Sequence, residues 1–235
     1  MNNNYCFKVW RMSLLLVLCW MLGMAMAQTI TTGPMTRVAT GEAAFYPQLT
    51  HDGTAVLVTQ QNYTGLTSID LATGRVQVLS TAPRAGRNAQ PSPVRNNQNL
   101  QLELTLDGQT TILTPNGANE RYLWPQLSPD GSKLVYGVSG RGTYVLDLAT
   151  QAVTFVGKMR AARWFDNQWL VAMQDQDDGY EVTASAIVMT NLDGSVMQVL
   201  TDDSVKAMYP SAQAGRVAFN TADGQVYVMT VSINP

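Results

Sequence analysis

Trp124-Pro125-Gln126-Leu127-Ser128-Pro129-Asp130-Gly131 repeats, almost letter for letter, the earlier stretch Tyr46-Pro47-Gln48-Leu49-Thr50-His51-Asp52-Gly53. A second pair keeps nearly the same offset, since Ile69-Asp70-Leu71-Ala72-Thr73-Gly74 returns as Leu146-Asp147-Leu148-Ala149-Thr150-Gln151. Two motifs that recur in the same order at one spacing mark an array of a single supersecondary unit. Around them, short β-branched and aromatic runs alternate with Asp-Gly, Asn-Gly, Thr-Gly and Pro. That is the pattern of strands joined by tight turns, because Gly accepts φ > 0 and Pro presets φ. No window holds apolar residues at helical spacing between a cap and a stop.

The clearest unit runs from Arg121 to Gly157. Arg121–Leu127, Lys133–Val138, Thr143–Leu148 and Ala152–Val156 read as four strands with short turns between them. Four antiparallel strands per unit make one propeller blade. Phe45–Ser80, Met159–Thr201 and Lys206–Val231 align to it, the last with only three strands. Its missing outer strand is supplied from the other end of the chain, since Met35–Thr40 matches the fourth-strand run Met197–Thr201. Joining the termini in one blade closes the ring and removes an exposed edge. The second unit is the weakest. Gln90–Val94 reads as its first strand and Leu100–Gly108 alternates apolar with polar. Yet Pro91 stands nearer to Pro125 than to Pro47, a spacing short enough to cost the unit a strand. The expectation is an all-β propeller of five blades, each of four antiparallel strands.

Pro125-x-x-Ser128-Pro129-Asp130-Gly131-x-x-Leu134-x-Tyr136 resembles the repeat of TolB-type propellers, the WD40-like class marked by a Pro-Asp-Gly turn. The segment from Gln174 through Gly179 to Ile187–Gly194 is similar to it as well. The resemblance spans residues 28–235, and its motifs are turn and core positions, specific for fold rather than for ligand. Members occur in bacterial envelopes and often bind protein partners, which is what the resemblance implies here. TolB itself carries an N-terminal α/β domain that has no counterpart ahead of Phe45.

Residues 1–27 read as a signal peptide. Lys8 and Arg11 precede the apolar run Met12–Leu22, and Ala25-Met26-Ala27 gives the small-x-small cleavage pattern. The run is short for a membrane anchor, and bulky Leu18 before Cys19 does not fit a lipoprotein signal. Cys6 and Cys19 leave with that peptide, so no disulfide framework follows. Residues 28–235 suffice for a core. With Lys8 and Arg11 gone from the 15 basic groups, 13 face 17 acidic ones, a net −4. No basic stripe points to nucleic acid. A periplasmic or secreted location is expected, with no membrane span after cleavage.

Motifs for chemistry are scarce. His51 is the only histidine, and it fills the turn position of Pro129. There is no Gly-x-Ser-x-Gly elbow and no Gly-rich phosphate loop. A glycosidase-like reading needs paired acids on inner strands. The inner runs Ala43–Tyr46, Asn88–Gln90, Tyr122–Trp124, Arg160–Arg163 and Ala207–Tyr209 hold no Asp or Glu. Asp175, Asp177, Asp178 and Glu181 form the densest acidic group and are a weak candidate for Ca²⁺. No cofactor and no transition metal are expected.

In a propeller the loops entering the inner strands share one face with the turns between second and third strands. That face gathers Arg84, Arg87, Asn88, Glu120, Arg121, Arg160, Asp203 and Lys206 from the first set. Tyr63, Arg141, Asp177, Asp178 and Tyr180 come from the second. Arg and Tyr are enriched at interaction hot spots, and loops on a rigid scaffold are where binding usually sits. Arg87, Arg121 and Arg160 are expected to form a positive rim. The reading is a noncatalytic interaction module for a protein partner in the envelope or outside the cell. Its alternative is glycan or small-ligand binding at the channel mouth, with Trp124, Tyr122 and Trp164 as stacking faces.

Overall fold

The computed structural model describes residues 28–89 and 91–234, and the reading of residues 1–27 as a signal peptide lies outside them. Two short strands come first, β1 (Thr29–Thr32) and β2 (Thr36–Val38). Blade one is β3 (Phe45–Leu49), β4 (Ala55–Thr59), β5 (Leu66–Asp70) and β6 (Val76–Ser80). Blade two follows a 3₁₀ turn at Ala85–Asn88 and consists of β7 (Val94–Asn96), β8 (Leu102–Leu106) and β9 (Gln109–Leu113). Blade three is β10 (Tyr122–Leu127), β11 (Lys133–Val138), β12 (Gly142–Asp147) and β13 (Val153–Gly157). Blade four is β14 (Arg160–Trp164), β15 (Trp169–Asp177), β16 (Val182–Asn191) and β17 (Met197–Val199). Blade five is β18 (Ala207–Gln213), β19 (Arg216–Thr221) and β20 (Val226–Asn234).

The strand order within each sheet is sequential and antiparallel, so this is a five-bladed propeller. Closure follows the expected route and goes further. β2 pairs with Val226–Val228 of β20, and β1 pairs with Val231–Asn234 of the same strand. The closing strand is therefore in two pieces, broken at Gly33-Pro34-Met35. Gly33 sits where a Cβ would collide with Thr230 Oγ1, and its N–H donates to the Thr230 carbonyl at 2.9 Å.

Blade two departs from four strands. Its innermost strand is Val94–Asn96, later than the Gln90–Val94 expected, and among the described residues it has no fourth strand. Residues 114–121 cross directly to blade three instead. Two buried tyrosines hold that crossing: Tyr122 accepts from Asn116 N–H and donates to the Gly117 carbonyl, both at 2.9 Å, and Tyr136 donates to Asn116 Oδ1 at 2.7 Å.

Four blades carry the same irregularity on the innermost strand. The register shifts between Phe45 and Gln48, Leu123 and Gln126, Arg160 and Arg163, and Met208 and Ser211. Inside each shift one residue has φ near 50°: Tyr46, Trp124, Ala161 and Tyr209. Three of the four stand before a proline, which has no N–H to give the ladder and so fits a bulge. A bulge re-aims side chains and frees backbone donors. One freed donor joins blades, since Tyr46 N–H bonds Asn220 Oδ1 at 3.0 Å; just past another bulge, Trp164 N–H bonds Gln126 Oε1 at 3.0 Å.

The core lies between blades. One apolar cluster fills the seam between blades four and five around Trp169, Ile187 and Phe219. Others fill the seams five–one (Val56, Ile69, Val226), two–three (Leu102, Tyr122, Leu134) and three–four (Val135, Trp164, Leu170). Among the described residues the seam between blades one and two has no such cluster. Gly86 is packed on Thr59 there, and Gln48 Nε2 donates to the Gly86 carbonyl at 3.4 Å.

Candidate binding face at the channel mouth

Three contacts tie the entry loops to the turns between second and third strands. The Arg87 guanidinium lies 5.2 Å from the centre of the Tyr63 ring, bridging the β4–β5 turn and the loop into blade two. Arg141 Nη1 donates to Glu120 Oε1 at 2.6 Å. Arg160 Nε donates to Asp175 Oδ1 at 2.8 Å, its Nη2 pairs with the other carboxylate oxygen, and Asp177 stands 3.8 Å away. These pairings alter the expected positive rim. Arg160 is neutralised by Asp175, whose side chain is only 6% exposed, and Arg141 is neutralised by Glu120. Arg87 and Arg121 remain as exposed cations with no carboxylate partner among the described residues.

The other residues read from sequence sit as follows. Arg84 precedes the 3₁₀ turn with φ 61°, and Asn88 ends that turn. Asp203 opens a second 3₁₀ turn, Asp203–Val205, and Lys206 follows it at φ 52°. Tyr180 is 99% exposed at the tip of the β15–β16 hairpin. That hairpin has strands of 9 and 10 residues where β11 and β12 have 6 each. At about 3.3 Å per residue it reaches roughly 10 Å beyond its counterpart.

The weak calcium candidate gains no support from the geometry. Asp175 is turned to Arg160, Asp177 accepts from Gly179 N–H, and Asp178 accepts from the N–H groups of Tyr180 and Glu181. Two of the four carboxylates serve the hairpin turn and one serves the arginine. No group of three or more His, Cys, Asp or Glu side chains converges among the described residues. Two of the expected stacking faces are also occupied within the fold. Tyr122 is fully buried with its hydroxyl bonded to the blade-two crossing, and Trp164 is 3% exposed with Nε1 donating to the Gln126 carbonyl at 2.9 Å. Trp124 is half-buried on the inner strand. His51 lies in the turn after β3, where Gln213 Nε2 donates to its carbonyl at 2.9 Å.

The innermost strands contribute a group that the sequence reading did not assemble. The Tyr46 ring stacks on Tyr63 at 4.1 Å between centroids and contacts Tyr209 at 4.7 Å. Burial raises the pKa of all three, which keeps them protonated. Arg163, on β14, has its pKa lowered to about 10 by burial. The available signal was the aromatic-Pro dipeptide recurring at Tyr46-Pro47, Trp124-Pro125 and Tyr209-Pro210, because a bulky residue before Pro within an inner strand marks the bulge that turns it.

No protein-family model matches this sequence, and no curated protein matches it. Solved structures do. The putative TolB from Agrobacterium tumefaciens superposes with a TM-score of 0.50 at 15% identity, covering 88% of this chain and 98% of that one. The Cps50 (Swd1) β-propeller domain from Myceliophteria thermophila gives 0.48 at 9% identity, covering 87% of this chain and all of that one. An oligogalacturonate lyase from Vibrio parahaemolyticus gives 0.40 at 14% identity, with 82% and 79% covered. At such identities the likeness is one of architecture, and in architecture the chain is a TolB-like β-propeller.

Proposed function

We propose that the chain is an exported, noncatalytic propeller that acts as a protein-interaction module in the cell envelope or outside the cell. The observation that carries this is the β15–β16 hairpin, which stands out from the channel-mouth face with a fully exposed Tyr180 at its tip. A large exposed aromatic on a rigid hairpin is a poor solvent-facing residue and a good interface anchor. Its base is fixed by the Arg160–Asp175 pair, so little order is lost when a partner docks. Arg87 and Arg121 supply the exposed positive charge of the same face. TolB-type propellers, which the repeat resembles, often bind protein partners. No helix among the described residues is long and apolar enough to cross a membrane. The test is capture from envelope extract with wild-type protein and Tyr180→Ala. Tyr180→Ala is expected to fold normally and to lose at least about tenfold in partner affinity, the loss of an aromatic anchor. Capture that is indifferent to Tyr180→Ala would refute the reading.

A further inference from the structure

The seam between blades five and one is built from smaller side chains than the other filled seams. Its buried cluster holds only Val, Ala, Leu and Ile, whereas the other three contain Trp169 and Phe219, Tyr122 and Tyr136, or Trp164. Smaller side chains between blades of the same build leave volume unfilled. Here that volume opens as a cavity of about 390 Å³ between the closing strand β2 and the β5–β6 turn. Small-molecule sites span roughly 300–1,000 Å³.

The walls follow from strand pairing. Val38 pairs with Val226 and Thr36 with Val228, so all four project from blade five towards blade one. On the other side, Ile69 pairs with Val76 and Thr67 with Val78, which puts the two valines on the same face of blade one as Ile69. Val38, Ile69 and Val228 are buried, while Val76 and Val78 are exposed. The apolar wall therefore runs from the sealed seam out to the rim of the ring.

Two arginines and one aspartate line the cavity. Asp70 is engaged in its own turn, where Oδ1 accepts from the N–H groups of Ala72 and Thr73 and from the Thr73 hydroxyl. Arg216 pairs with Thr230 and so projects from the same face of blade five as Val228. Its Nη1 donates to the Gly53 carbonyl at 3.0 Å, which fixes the guanidinium in place. Neither Arg216 nor Arg37 has a carboxylate partner among the described residues. An apolar groove with a fixed, unpaired cation matches an amphipathic anion, and a planar guanidinium edge matches the two oxygens of a carboxylate.

We propose that this groove binds a free aliphatic carboxylate of medium chain length, its chain along Val38, Ile69 and Val228 and its head group at Arg216. Strand β5 runs from the channel-mouth turn to the turn that lines the groove, so the site lies at the other end of the blade. It does not depend on the reading of the channel-mouth face.

The experiment titrates the full chain by calorimetry with hexanoate, octanoate and, as the uncharged control, 1-octanol. Octanoate is expected to bind about tenfold tighter than hexanoate, since two further methylenes leave water. Octanol is expected to bind at least about tenfold more weakly than octanoate, for want of a hydrogen bond between charged groups. Arg216→Gln keeps a donor for the Gly53 carbonyl and removes the charge. It is expected to weaken octanoate about tenfold and to leave octanol unchanged. Thr36→Phe, on the exposed edge strand, is expected to fill the groove and abolish binding of both. If Arg216→Gln fails to fold, Thr36→Phe and the octanol comparison decide. Equal affinity for octanol and octanoate overturns the carboxylate assignment. No gain from hexanoate to octanoate, or unchanged affinity in folded Thr36→Phe, overturns the groove, and so does the absence of octanoate binding to wild type. Tighter binding of acetyl-Ala-Leu, with its free C-terminal carboxylate, than of octanoate overturns the free ligand in favour of a partner's chain end.

Discussion

Gly140 and Gly194 have the same backbone conformation, φ 73°, in turns of adjacent blades, but different surroundings. A Cβ on Gly140 would meet nothing within 4 Å, whereas one on Gly194 would run into the Val156 carbonyl oxygen. Left-handed φ alone costs an L residue about 1–2 kcal/mol. Gly140→Ala should therefore destabilise by about that amount. Gly194→Ala should cost at least about 2 kcal/mol more, because blade four must move off blade three or the turn must open. Denaturant unfolding of the two variants measures the difference directly. Equal losses would mean that the Val156 contact yields freely. The sequence distinguishes neither case, since Gly140 and Gly194 read alike as turn glycines. The clash belongs to packing between blades, which no local pattern records. Arg163 escaped the sequence reading for a related reason. Strict alternation along Arg160–Trp164 assigns side chains to faces, and the bulge at Ala161, with φ 51°, breaks that alternation.

At the scale of elements, four of five blades were legible because their turns are chemically explicit. Asp52, Asp130 and Asp147 each accept backbone N–H and hydroxyl hydrogen bonds within their own turn, and those bonds hold the Asp52 and Asp130 carboxyls down at about 2. Between the first two strands of blade two Asn97 takes the place of the Asp, its Oδ1 accepting from the N–H groups of Asn99 and Gln101, and without an Asp-Gly signal the strand boundaries were set later than the sequence suggested. The closing strand was legible in one half. Met35–Thr40 matches the fourth-strand run, but Thr29–Thr32 has no turn signal and gains its strand only from pairing with β20. Both pieces contribute to the core, with Ile30 and Val38 each 8% exposed in different seams. Deleting residues 28–39 should therefore bare the outer edge of β20 along its whole length and open two apolar seams at once. We expect a loss of at least about 4 kcal/mol, twice a typical buried aliphatic truncation, together with concentration-dependent aggregation. A truncated protein that stays monomeric with an unchanged melting temperature would show that the outer edge of β20 needs no partner.

For the whole molecule, the ring converts residues far apart in sequence into one face, and the charges on that face are not equivalent. Arg121 is exposed and has no carboxylate partner among the described residues, while Arg160 holds Asp175, which is nearly buried. Exposed charge acts at long range and is screened by salt, with a Debye length of about 8 Å at physiological ionic strength. Arg121→Ala should therefore leave stability within about 0.5 kcal/mol. It should slow partner association at low salt and have little effect at high salt. Arg160→Ala does something different in kind. It strands the Asp175 carboxylate without its cation and loosens the base of the hairpin that carries Tyr180. Its cost in stability should be about 1–3 kcal/mol, and its effect on capture should appear mainly in the dissociation rate and persist as salt is raised. Association and dissociation rates measured for both variants across salt concentrations separate the two roles. If Arg160→Ala follows the salt dependence of Arg121→Ala, its pairing with Asp175 has no bearing on partner docking and the rim acts only through its summed charge.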